Sequence, residues 1–121
     1  MYILLSFVRR LATTILEGHG YCVLQASNGP EAIVLAERYP KVIHLLLTDV
    51  ILPGMDGRAL ADKLRESRPE IAVLYISGYT EERIGHAGVL DRYSAYLQKP
   101  FTPDVLAAKV RKTLADGGSQ R

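Results

Sequence analysis

A chain of 121 residues, 48% of them apolar, is long enough to bury a core of its own and too short for two ordinary domains. Its 15 basic and 13 acidic residues leave a formal charge of +2, with no basic stripe for a phosphate backbone, so nucleic-acid binding is excluded as a first reading. One cysteine makes no disulfide or zinc framework, and apolar runs such as 42–47 fall far short of the ~20 residues of a bilayer span, so a cytoplasmic, reducing, membrane-free setting is expected.

Val8, Leu11, Ala12, Ile15 and Leu16 recur at helical spacing, with Arg9, Arg10, Thr13, Thr14 and Glu17 on the other face. They predict a first helix that Gly18 and Gly20 stop. The run 21–25 reads as a strand, with Cys22 as a buried small hydrophobe. A turn cluster from Ser27 to Pro30 opens a helix with Ala32, Leu35, Ala36 and Tyr39 on one stripe, closed by Pro40. The nearly all-apolar run 42–47 predicts a strand buried on both faces.

The alternation continues with a helix over 58–66, Leu60, Ala61 and Leu64 inward, and a strand over 71–76. A weaker helix over 81–90, carrying Gly85 and Gly88, is expected to be the least stable. A strand over 95–98 follows. Thr102, Pro103 and Asp104 then supply a cap, a first-turn proline and a first-turn acid to a last helix with Leu106, Val110 and Leu114 on one face. Residues 1–115 are thus one domain and 116–121, with Gly117, Gly118 and Ser119, a tail or linker. Strands separated by single helices must pair in parallel, because each crossover needs a dozen or so residues, and chemistry in such α/β sheets sits at the carboxyl ends of the strands.

Three polar residues stand at those ends: Asp49, Ser77 and Lys99. A carboxylate, a hydroxyl and an ammonium brought together there could form and stabilise an acyl phosphate. On position alone, Asp49 serves equally as a turn or helix cap and Lys99 as half of an ion pair. Leu46 to Gly57 (LLTDVILPGMDG), Tyr75 to Tyr79 (YISGY) and Leu97 to Phe101 (LQKPF) resemble the receiver domains of response regulators and hybrid histidine kinases. The intervals of 28 residues from Asp49 to Ser77 and 22 from Ser77 to Lys99 agree with that family.

The resemblance implies a flavodoxin-like receiver fold, a three-layer α/β/α sandwich around a five-stranded parallel sheet of order 2-1-3-4-5. It implies a signalling domain rather than an enzyme, with Asp49 as phosphoacceptor from a phosphohistidine on a histidine kinase or phosphotransfer protein. Lys99 would contact the phosphoryl oxygens, Ser77 would bind the acyl phosphate and report it, and Tyr96 would be an aromatic switch acting on the last helix–strand–helix face (the family's α4-β5-α5), where a homodimer can form. Lys99-Pro100 is an expected cis peptide. Ile51 would offer its backbone carbonyl to Mg²⁺ beside Asp49 and, with Tyr79, would shield the phosphoryl group.

One departure bears on that last role. Receivers begin with a strand ending in two acids that hold Mg²⁺, and here no Asp or Glu precedes Glu17. The best alignment places a gap of about four residues, both acids included, between Leu5 and Ser6. Either the acids are deleted, leaving a pseudo-receiver that binds partners without phosphorylation, or the sequence is shorter there than the protein. His19, His44 and His86 show no metal-ligand spacing and read as structural or surface residues.

Overall fold

The computed structural model describes residues 2–5, 10–52, 55–77, 94–98 and 101–119, without the side chains of residues 5, 10, 51, 52, 77, 94 and 116–119. Strands β1 (Tyr2–Leu5), β2 (Cys22–Gln25), β3 (Leu45–Asp49), β6 (Ala72–Ser77) and β7 (Ser94–Gln98) form one parallel sheet in the order β2-β1-β3-β6-β7. Strands β4 (Ile51–Leu52) and β5 (Met55–Asp56) form a separate two-stranded antiparallel ladder. Without that ladder, the order is the 2-1-3-4-5 expected of the fold.

Helices α1 (Arg10–Gly18), α2 (Gly29–Arg38), α3 (Gly57–Ser67) and the C-terminal helix (Pro103–Ser119) cover both faces. Alternation along the strands sorts the core into two clusters. Leu4, Leu46, Val73, Tyr75 and Tyr96 meet Ala32 and Ala36 of α2 and Leu60, Ala61 and Leu64 of α3. Ile3, Leu45, Leu47, Ala72, Leu74, Ile76 and Leu97 meet Ala12 and Leu16 of α1 and Leu106 and Val110 of the C-terminal helix. Full burial of each large aliphatic side chain contributes about 1.5–3 kcal/mol, which is why the central strands carry almost no polar residues.

Helix starts follow the expected chemistry. Asn28 Oδ1 accepts from Glu31 N at 2.8 Å, Asp56 Oδ1 from Ala59 N at 2.7 Å, and Thr102 Oγ1 from Val105 N at 3.2 Å. Gly20 follows α1 at φ +89°, a left-handed conformation that glycine adopts without steric cost.

Several expectations are corrected. Leu11 is 68% exposed, because the inward stripe of α1 runs through Ala12, Thr13 and Leu16. Cys22 is exposed rather than buried, since β2 is an edge strand with one side open. The strand expected over 42–47 begins at Leu45, leaving Val42 63% exposed. The last helix continues to Ser119, since extending a formed helix costs far less than nucleating one. The expected helix over 81–90 lies outside the described residues.

Arg68, just past α3, ties the two helices of one face together. Its guanidinium donates to the carbonyls of Ala36 at 2.8 Å, Tyr39 at 2.8 Å and Lys41 at 3.0 Å, closing the carboxyl end of α2. Arg68→Ala is expected to lower the unfolding free energy by about 1–2 kcal/mol in urea titration, less than three buried charged bonds because the group is partly solvated.

At the amino end of the sheet, Tyr2 packs against Tyr39 with ring centroids 5.5 Å apart, and Lys41 Nζ lies 3.2 Å from the Tyr2 hydroxyl. That hydrogen bond, then the charge of Tyr2, raises the Lys41 ammonium above 10.5. Loss of surrounding water, then Tyr2, raises the Tyr39 hydroxyl above 10.0. Both folded values lie above the unfolded ones, so their stabilisation is complete below pH 10.0 and is lost as pH rises through the folded values. The urea midpoint is expected to fall on the alkaline side of that point, and less steeply in Tyr2→Phe.

Candidate functional site at the carboxyl ends of the strands

The chain reverses direction across the sheet at β1: β2 pairs on one side of it and β3 on the other. In open α/β sheets such a reversal marks the general ligand position, which here is the carboxyl ends of β1 and β3. Asp49 is the last residue of β3 and is half-buried, beyond four buried residues from Leu45 to Thr48. It pairs in register with Ile76 of β6, and Ser77, the last residue of β6, pairs with Gln98, the last of β7. With neighbouring strands about 4.8 Å apart, the backbones of Asp49 and Ser77 lie side by side at one edge.

Local bonds hold the end of β3. Val50 N donates to Ile76 O at 3.1 Å, and buried Thr48 donates its hydroxyl to Asp49 O at 3.0 Å. The β4–β5 ladder then turns the chain back so that α3 begins against the site. Gly57 N donates to Val50 O at 2.6 Å, and a Cβ at Gly57 would overlap the Asp49 carbonyl oxygen. Only glycine lets the helix start this close. Met55 of the ladder fills the notch over Gly29, whose added Cβ would lie 2.6 Å from its Sδ. Neither glycine contact was marked in the sequence beyond the Asp56-Gly57 pair, which carries a helix-start signal.

The structure thus brings Asp49 and the Ser77 backbone together. The Ser77 side chain is not described, and Lys99, Pro100 and Tyr79 lie outside the described residues, as does Ser6 of the Leu5–Ser6 junction. Tyr96 is buried on β7, two strands from β3 with β6 between them. His19 Nδ1 lies 2.9 Å from Ile15 O, and His44 Nδ1 accepts from Tyr2 N at 3.0 Å, both local structural roles; His86 lies outside the described residues.

Receiver domains generally bind Mg²⁺ in an acidic pocket. Among the described residues no three His, Cys, Asp or Glu side chains gather as a metal site. Asp56, close in sequence to Asp49, spends its Oδ1 capping α3. Among the described residues the oxygen ligands at this place are fewer than a hard cation ordinarily takes, which favours weak binding.

Comparison with known proteins agrees with the geometry. The family model of the response regulator receiver domain matches residues 6–111. The chain is 33% identical over 107 residues to the sensor kinase CckA of Brucella abortus, covering 88% of this chain and 11% of that protein. It is 32% identical over 107 residues to the response regulator receiver protein CpdR of the same organism, covering 88% of each. The chain spans about a tenth of the sensor kinase and under half, 43%, of other curated regulators that it matches. A crystal structure of the receiver domain from the hybrid histidine kinase CckA superposes with a TM-score of 0.78 at 35% identity, covering 94% of this chain and 99% of that one. These matches favour a phosphoacceptor receiver over a phosphorylation-independent binding module. Fold and sequence agree that this chain belongs to the response regulator receiver domain family of two-component signalling.

Proposed function

We propose that Asp49 is the phosphoacceptor, receiving its phosphoryl group from a phosphohistidine on a histidine kinase or phosphotransfer protein. The observation that carries this reading is a half-buried carboxylate ending a buried strand at the switch point of a receiver fold. In the transfer, an Asp49 carboxylate oxygen forms a bond to phosphorus as the P–N bond of the phosphohistidine breaks, and the departing imidazole nitrogen takes up a proton. Lys99 neutralises charge on the phosphoryl oxygens and Ser77 donates a hydrogen bond to them.

Asp49 and the Ile51 carbonyl are the chain's metal ligands in this reading. With no acid before Glu17, divalent cations are expected to bind there weakly. Phosphorylation shifts Ser77 and then Tyr96, altering the face that includes β7 and the C-terminal helix, the described part of the family's α4-β5-α5 face, through which a homodimer can assemble. Among the described residues no helix is long and apolar enough to cross a membrane, which supports a cytoplasmic place for the domain.

The test is incubation of the chain with acetyl phosphate, with and without Mg²⁺, followed by mass spectrometry. A hydroxylamine-sensitive phosphoryl adduct on the peptide carrying Asp49 is the expected result. No adduct under either condition would overturn the reading in favour of a phosphorylation-independent interaction domain.

A further inference from the structure

The strands that carry the two proposed switch residues are joined by an aromatic contact that neither role requires. Tyr75 on β6 and Tyr96 on β7 are register partners, and their rings stack with centroids 5.2 Å apart and planes 21° from parallel. Both belong to the apolar cluster against α3, but in different settings: Tyr75 is 0% exposed and Tyr96 8% exposed. The first ring is enclosed on all sides, whereas the second sits at the margin of the cluster, where rotation of its side chain can carry it outward. Such a pair has one fixed member and one that can leave. When Tyr96 leaves, the face of the Tyr75 ring that it covers loses its contact.

We propose that Tyr75 is a positioning residue that sets the resting bias of Tyr96. The stack holds Tyr96 in its buried rotamer, and the outward state is populated only when phosphorylation offsets the lost ring contact. The proposal rests on the reading of Tyr96 as a switch. An aromatic pair at this separation is strong enough to shift a two-state equilibrium by roughly three- to tenfold. Tyr75→Phe keeps the ring and therefore the bias, whereas Tyr75→Leu and Tyr75→Met keep apolar bulk without it.

The experiment uses the chain labelled with 3-fluorotyrosine, with the Tyr96 ¹⁹F resonance assigned from Tyr96→Phe. Its solvent isotope shift reports the exposed fraction before and after loading with acetyl phosphate. The expected result is a roughly three- to tenfold rise in the unloaded exposed fraction in Tyr75→Leu, with Tyr75→Phe matching the parent. A general loss of packing would instead move the other tyrosine resonances as well. If Tyr75→Leu does not fold, Tyr75→Met gives the same reading. A parent resonance that responds to loading, together with unaltered exposure in both ring-deleted variants, overturns the role of Tyr75 alone. A parent resonance that does not respond although Asp49 is loaded overturns the switch reading and this proposal with it.

Discussion

Asp49→Asn is expected to reduce phosphoryl labelling by acetyl phosphate at least about a hundredfold, to background, because an amide replaces the carboxylate proposed as the nucleophile at the end of β3. The informative control is Asp56→Asn. Asp56 lies seven residues on, and its Oδ1 caps α3 by accepting from Ala59 N at 2.7 Å. Asn caps a helix about as well as Asp, so this variant is expected to keep both the fold and the label. Mass spectrometry of the two variants beside the parent measures the difference. Label retained in Asp49→Asn and lost in Asp56→Asn would overturn the assignment to Asp49 and place the acceptor at Asp56.

The second large effect is expected at Gly57. A methyl group there overlaps the Asp49 carbonyl oxygen and lies 3.1 Å from its carbon and 3.2 Å from the Val50 Cα, all backbone atoms that cannot rotate away. Either α3 must start farther out, stretching the 2.6 Å bond from Gly57 N to Val50 O, or the end of β3 must move. Gly57→Ala is therefore expected to cost about 1–3 kcal/mol, the usual range for overpacking. A melting temperature lower by roughly 5–15 °C corresponds to that cost. The same displacement shifts Asp49, and misplacement by an ångström can slow a reaction ~100-fold, so labelling is expected to fall more than stability.

Gly29→Ala provides the comparison. Its added Cβ meets Met55 Sδ at 2.6 Å, the far part of a flexible side chain that can turn aside. A loss under about 1 kcal/mol is expected there, measured by the same thermal melts. Equal losses at the two glycines would mean that the approach of α3 to Asp49 has no special rigidity.

Most of this architecture was legible in the sequence because period and punctuation agree along the chain. Leu60, Ala61 and Leu64 were readable as the inner stripe of α3, and all three are buried. Thr102 was readable as a cap, and its hydroxyl accepts the expected bond. Failures arose where burial depends on a neighbour distant in sequence. Cys22 looked buried because its run is apolar, but exposure of a strand residue is decided by whether its strand is central or at the edge. Leu11 looked inward because residues 8, 11 and 15 also make a helical stripe, and the choice between two adjacent stripes is made by packing against the C-terminal helix. At the site, Asp49 and Ser77 stood out as polar residues ending apolar runs. The Gly57 approach and the Tyr75–Tyr96 stack did not, because each joins segments whose proximity only the folded sheet creates.

The interior position of β1, between β2 and β3, also constrains how the domain comes to be. This strand is made before both of its partners and can pair with β2 once the chain has emerged to Gln25, but its other edge waits for β3, about 20 residues later. Until Leu45–Leu47 arrive beside Ile3–Leu5, a row of backbone donors and acceptors lies open next to apolar side chains. The nascent chain is then most exposed to pairing with another copy, so a strand flanked on both sides in the finished sheet is the one at risk during synthesis.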